Sequence, residues 1–367
     1  MKKSVLILSN SLKGLFSFRK EVIKAICDAS YDVTISIPER DERAEYFESI
    51  GCSLVETKLS RRGMNPFADC NLLLNYRKLI REIHPIAVLT YTIKPNVYGG
   101  MACRLTKTSQ LANVTGLGDA VENGGWLQKL TITLYKMGLA KAKTVFFQNA
   151  TNRNYFIQNK IADDDSILLP GSGVNLNHHT FQEYPTNDET IKFLFIGRLL
   201  KDKGIEEFFE AAKNVKNRYP NTEFQILGPV EGPYKPVLEA NIQLGTVKHL
   251  GSTTDVRPFI GAVHCTVMPS YHEGMSNVNL ESSANGRPVI TTNVAGCRET
   301  VDDNITGFLV NVTDAKDLAD KFEKFILLNH EQKEQMGLAA RRKVEREFDR
   351  QIVINAYLKE IESVSNV

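Results

Sequence analysis

Two doubly wound α/β domains are what this sequence predicts, and three observations carry the prediction. Short, continuous apolar runs of the kind buried on both faces of a parallel sheet recur along the chain, beginning at residues 5–8. Several of these runs lead into a Gly-bearing turn and then a segment of helical spacing, the unit that places ligands at strand ends. The length of 367 residues, 42% apolar and 24% charged, suits two ordinary domains that each bury a core.

In order, residues 5–8 form a strand, followed by a helix on which Phe18, Val22, Ile23 and Ile26 recur at helical spacing. No G-x-G-x-x-G follows the strand, which counts against a dinucleotide-dependent dehydrogenase. Residues 32–37 make the next strand, 39–50 a polar helix and 53–56 a third strand. SRRGMNPF is a basic loop whose Arg61 and Arg62 either hold a diphosphate or are solvated. A helix over 69–83 and a strand over 86–89 deliver Lys94 to a strand's C-terminal end. Residues 110–114 are a strand leading into TGLGDAVENGG, where Asp119 either orients a hydroxyl of a ligand or stabilises a turn.

Residues 126–143 place Trp126, Leu127, Leu130, Leu134 and Met137 among Lys129, Lys136, Lys141 and Lys143, with no acid. That pattern fits a helix lying on anionic lipid or one packed on the sheet with a basic edge. A strand over 144–148 and a helix over 152–160 end the first domain, with the boundary near 170–175. The second opens with a strand at 192–196 ending in Gly197 and Arg198, then a helix over 204–215. Strands over 223–227 and 247–250 end in Gly228 and Gly251. Those over 288–292 and 307–310, with helices over 318–328, 332–348 and from 351 onward, complete the chain.

The formal charge of +2 hides an asymmetry: residues 1–175 carry 23 Lys+Arg against 16 Asp+Glu, the remainder 22 against 27. The basic half either faces an anionic lipid or phosphorylated acceptor or is uneven surface decoration, and without a run of five basic residues nucleic acid is not expected. Six Cys without a C-x-x-C read as reduced, packed thiols of a cytosolic protein. The successive acids Asp163, Asp164 and Asp165 and the adjacent His178 and His179 form no metal set. The start, with two Lys and a four-residue apolar run, reads as a first strand rather than a signal peptide. No stretch approaches eighteen apolar residues, so nothing is expected to span a bilayer.

The densest stretch is 268–288, MPSYHEGMSNVNLESSANGRP. A buried strand over 263–268 stops at Pro269, the chain turns over Gly274, and a helix starts with Ser276 or Asn277 as cap. Backbone N–H groups and a helix N-terminus then converge on one point, an anion site. Glu273 precedes that point and Glu281 lies one turn inside the helix, so the two acids either flank a ligand or are solvated.

Glu273 through Glu281 resemble the E-x7-E motif of the retaining glycosyltransferase family called GT4. The surrounding PSYHEGMSNVNLESSANGRPVITTNVAGCRETV and NITGFLV are similar to that family almost without interruption. FIGRLLKDKG resembles its strand–Gly–Arg…Lys–Gly phosphate clamp. SRRGMNPF, YTIKPNVYGG and NVTGLGDAV resemble the branch that builds lipid-linked oligosaccharides for bacterial surface polysaccharide or protein glycosylation.

The resemblance implies a GT-B architecture, two Rossmann-like domains facing a central cleft. Residues 1–172 would bind acceptor, with a helix of about 350–367 crossing back, and 173–349 would bind the nucleotide sugar. Arg198 and Lys203 would neutralise a leaving UDP, Glu273 would hold the donor sugar and Glu281 the ribose. Gly274, Met275, Ser276 and Asn277 would add backbone contacts, Gly14 would face the donor phosphates, and Leu250 and Gly251 would border the uracil. Lys94, Asn96 and Asp119 would lie on the acceptor side. No metal or other cofactor is implied. The donor would be the UDP-sugar of a hexose or N-acetylhexosamine, GalNAc first with galactose or glucose next, and transfer would retain configuration along a front-face path. The acceptor would be a sugar on undecaprenyl diphosphate, with the enzyme peripheral at the inner face of the cell membrane. Two other classes remain open: a sugar-nucleotide epimerase or hydrolase of the same fold, and a noncatalytic sugar-nucleotide-binding subunit.

Overall fold

In the first strand, β1 (Ser4–Leu8), Val5 and Ile7 point to one side and Leu6 and Leu8 to the other, and all four are fully buried. A strand apolar on both faces needs a helical layer on each. The computed structural model describes residues 2–59, 65–116, 125–186 and 189–365. The chain divides into two compact units, Met1–Ser172 with Gln351–Val367, and Gly173–Arg350.

In the first unit β1 is followed by α1 (Leu12–Asp28), β2 (Asp32–Ile37), α2 (Ala44–Ser49), β3 (Ser53–Glu56) and α3 (Pro66–Ile83). The chain continues through β4 (Ala87–Tyr91), a π-helical turn (Pro95–Gly99), α4 (Gly100–Thr106) and β5 (Ser109–Val114). Next come α5 (Gly125–Leu139), β6 (Thr144–Phe147), α6 (Ala150–Gln158) and β7 (Ile167–Leu168). The strands pair in parallel in the order β3-β2-β1-β4-β5-β6-β7. α1, α2 and the last helix of the chain cover one face, where Val353, Tyr357 and Ile361 join the core of Val5 and Ile7. α3, α4, α5 and α6 cover the other.

α1 begins because Ser11 is extended and its hydroxyl accepts the Gly14 N–H at 3.1 Å. Leu12, Leu15, Val22, Ile23 and Ile26 then fall on its buried side. Asn65 caps α3 in the same way, with Pro66 at its start.

The second unit runs β8 (Ile191–Ile196), a 3-10 turn (Lys201–Lys203), α7 (Ile205–Arg218), β9 (Thr222–Leu227), α8 (Tyr234–Gln243), β10 (Lys248–His249) and α9 (Arg257–Gly261). It continues with β11 (Cys265–Met268), α10 (Asn277–Ala284), β12 (Val289–Thr292), β13 (Gly307–Val310), α11 (Ala315–Leu327) and α12 (His330–Glu347). α13 (Arg350–Ser365) ends the described chain. The parallel order is β10-β9-β8-β11-β12-β13. Phe193, Phe224 and Phe322 centre one face, with Phe193 stacked on Phe224 at 5.1 Å. Both units are therefore doubly wound parallel sheets.

Four expectations shift. The helix read at 39–50 shrinks to Ala44–Ser49, and the strand at 247–250 to Lys248–His249. The helix read at 126–143 ends at Leu139, and the helical passage over 95–106 was not foreseen. Among the described residues no helix is long and apolar enough to cross a membrane.

Candidate active site

Strand order in the second unit reverses between β8 and β11, so the loops leaving these neighbours diverge at their C-terminal ends. The β8 loop carries Arg198 and Lys203, and the β11 loop carries Glu273. Lys203 Nζ lies 2.7 Å from Glu273 Oε1, with each side chain 17% exposed. The Ser270 hydroxyl donates to the same oxygen at 2.9 Å. The sheet thus joins residues seventy positions apart.

Backbone packing fixes the pair. Gly204, at φ +71, closes the β8 loop so tightly that a Cβ there would stand 2.0 Å from the Pro269 carbonyl oxygen. Gly296, at φ +80, lies under the Glu273 carbonyl, 2.3 Å from where a Cβ would be. The Tyr271 N–H donates to the Asp202 carbonyl at 2.8 Å, and its hydroxyl to Glu207 Oε1 at 2.7 Å. The Thr292 hydroxyl holds the Ser270 carbonyl.

At α10, Ser276 is the cap: its hydroxyl accepts the Asn279 N–H at 3.3 Å and its carbonyl the Leu280 N–H. Its own N–H donates to the Gly296 carbonyl at 2.7 Å. Ser276 is therefore committed to the fold, which corrects its reading as a ligand contact. The Met275 side chain is buried with Val174, Leu280, Ala284, Val344 and Phe348, which leaves the backbone contact expected of it untouched. Asn277 and Val278 carry the other N–H groups of the first helical turn, and Gly274 adjoins them. Glu281, in the same helix, is partly buried; burial pushes its pKa up to about 7, against the opposing pull of Arg350.

Arg198 stands apart from that pair. It is exposed, with Nη1 3.4 Å from Glu231 Oε1, so the two expected clamp cations are held by different acids. Leu250 and Gly251 follow β10. The Leu250 N–H donates to the Ile226 carbonyl, the Gly228 N–H to the Gly251 carbonyl and the Gly197 N–H to the Leu227 carbonyl. β8, β9 and β10 consequently end with Gly197, Gly228 and Gly251 close together.

In the first unit the equivalent reversal falls between β1 and β4. Gly14 lies in the first turn of α1 with its N–H taken by Ser11. Lys94 Nζ is 2.7 Å from Asp69 Oδ1, whose other oxygen accepts the Tyr98 hydroxyl at 3.0 Å. Burial, with Asp69 adding, pushes the Tyr98 hydroxyl well up. Asn96 is fully buried: its amide donates to the Asn113 carbonyl at 2.9 Å and accepts the Thr90 hydroxyl at 2.7 Å. That ties β4 to β5 and corrects its acceptor-side reading. Asp119, Arg61 and Arg62 lie outside the described residues.

Sequence reasoning missed Ser270, Glu231, Gly296 and Asp69. Only Gly296 carried a local signal, a Gly closing a strand-to-helix turn. Glu231 and Asp69 are identified by partners distant in sequence, and Ser270 by the fold of its own loop, which turns its hydroxyl onto Glu273.

Residues 178–343 match the family of glycosyl transferases group 1, and residues 4–149 match that of glycosyl transferase 4-like proteins. The chain belongs to these GT4-type glycosyltransferases and has their GT-B fold of two Rossmann-like domains. It is 26% identical, over 96% of each chain, to the N,N'-diacetylbacillosaminyl-diphospho-undecaprenol alpha-1,3-N-acetylgalactosaminyltransferase of Campylobacter jejuni. It is 28% identical to the capsular polysaccharide biosynthesis glycosyltransferase CapM of Staphylococcus aureus, over 82% of this chain and 85% of the relative. Among solved structures, Anabaena HepE in complex with UDP superposes with a TM-score of 0.81 at 16% identity, covering 100% of both chains.

Proposed function

We propose that this glycosyltransferase moves an N-acetylhexosamine, GalNAc first, from a UDP-sugar to a sugar on undecaprenyl diphosphate, with retention. The observation that carries the reading is the Lys203–Glu273 pair at the strand-order reversal of the second unit. Lys203 stands where a diphosphate would meet the start of α10. Arg198 joins it by leaving Glu231, an exposed pair worth only about 0–1 kcal/mol. The donor supplies the sugar's electrophilic carbon, and the two cations stabilise the charge that develops on UDP as that bond breaks. Glu273, with Oε1 held by Lys203 and Ser270, offers its second oxygen to donor-sugar hydroxyls.

Glu281 takes the ribose, and the N–H groups of Asn277 and Val278 add to phosphate binding. Gly14 faces the donor phosphates, Leu250 and Gly251 border the base, and Lys94, held by Asp69, meets the acceptor. The departing phosphate accepts the acceptor's proton on the same face, which gives an α product from an α donor. The cationic side chains do the work of a metal, so turnover persists in EDTA. The name of the C. jejuni relative supports the sugar and the lipid, and the UDP in HepE supports the nucleotide. A lipid-linked acceptor places the enzyme peripherally at the inner face of the cell membrane.

The test incubates purified protein with a panel of UDP-sugars and a short-chain polyprenyl-diphosphate HexNAc, reading UDP release and product mass. UDP-GalNAc is expected to yield a lipid heavier by one HexNAc. UDP release with every donor and no heavier lipid would overturn the acceptor assignment and favour a hydrolase.

A further inference from the structure

Nine large apolar side chains stay exposed among the described residues of the first unit, and six of them lie on a single helical layer. They are Phe67 and Leu74 on α3, Leu105 on α4, and Trp126, Leu130 and Met137 on α5. The concentration marks a docking face, since scattered decoration would divide them between the two sides of the sheet. Phe67 is 89% exposed and Trp126 72%. Each lies within the first turns of a helix entered from the C-terminal end of a strand, so both aromatics stand toward the same edge of the layer. Along α5, Trp126, Leu130, Thr133 and Met137 recur at i, i+4, i+7 and i+11, with Lys129 and Lys136 beside them.

Charge selects the occupant. α3, α4 and α5 carry six Lys and Arg against two acids, and Lys107, Lys141 and Lys143 follow closely. Of the acids, Asp69 is buried against Lys94, and Glu82 pairs with Lys78 at 3.8 Å. A second copy pairing face to face would set this cationic surface against itself. An anionic bilayer matches both parts, lysines meeting headgroups and aromatic rings entering the interface.

We propose that the outer face of α3, α4 and α5 docks on an anionic lipid bilayer, with Phe67 and Trp126 as its two interfacial anchors. This deepens the lipid-linked acceptor reading and rests on it for its purpose, while the surface itself is argued from exposure and charge. It extends the expectation for residues 126–143 from one basic helix to a three-helix face whose foremost apolar residue, Phe67, belongs to α3.

Trp126 is the only Trp of the chain, so the native protein reports its own docking. Vesicles containing phosphatidylglycerol are expected to shift its emission to shorter wavelength, and brominated acyl chains to quench it; pure phosphatidylcholine should do neither. Raising the salt should reverse the effect. The Lys129→Glu, Lys136→Glu double variant should bind these vesicles about tenfold or more weakly, and Phe67→Ser should weaken binding as well. Both variants should retain wild-type turnover on a water-soluble short-chain acceptor, which separates failed docking from a failed acceptor assignment. Emission indifferent to anionic vesicles would overturn the proposal. So would a shift that needs no lipid and rises with protein concentration alongside a dimer in sedimentation, which would assign the face to a second copy.

Discussion

Glu281 is the residue whose chemistry depends most on whether the site is filled. Burial raises its pKa to about 7, so a ribose hydroxyl donating to the carboxylate must first favour its ionised form. UDP affinity should therefore fall about tenfold from pH 8 to pH 6, with proton release visible as buffer-dependent binding heat. Glu281→Gln should flatten that profile, and an unchanged slope would remove Glu281 from the ribose. Stability runs the other way. An ordinary Glu titrates near 4.3 when unfolded, so the folded chain holds the extra proton between about pH 4.3 and 7. The stabilisation is complete below that window and lost as pH rises through it; Glu281→Gln should therefore be the more stable form at pH 8 in urea titrations. Arg198→Ala removes only an exposed pair from the fold, yet should lower kcat by about 10²–10³-fold if Arg198 meets the leaving diphosphate. Near-normal kcat would refute the clamp.

Among the elements, the turns around the site tolerate little. Gly204→Ala would force a Cβ onto the Pro269 carbonyl at positive φ, and should cost about 1–3 kcal/mol or more in a denaturant titration. Gly14→Ala meets nothing closer than 3.5 Å and continues a helix, so its fold should persist while KM for the donor rises. An unaltered KM would detach the α1 start from the donor. The strands were legible because residues such as Val5–Leu8 are apolar on both faces, and α1 because its apolar spacing follows a Ser cap. The passage 95–106 was not legible: Gly99, Gly100 and Ala102 serve close packing, with Gly100 against the Gly138 carbonyl, and leave no apolar stripe. α8 escaped for a related reason, since Leu238 is its single buried residue. At the site, Glu273 and Lys203 could be read from local motifs. The Ser276 N–H bond to Gly296 and the burial of Asn96 could not, because both depend on segments that only strand order brings together.

At the scale of the molecule, two parallel sheets divide the chemistry, and charge follows the division, with a basic first half and an acidic remainder. The first unit holds a cationic, apolar helical face suited to a lipid surface. The second holds the ion-paired acid and base at its strand-order reversal. The central claim is that this second site transfers the sugar, and the most direct test is single-turnover transfer from UDP-GalNAc by wild type and Lys203→Ala side by side. The variant must first be shown folded by its far-UV spectrum and its unfolding transition. Wild type should form the heavier lipid and the folded variant should lose at least about 10²-fold of that rate. Equal rates would contradict the account and move the chemistry elsewhere in the chain.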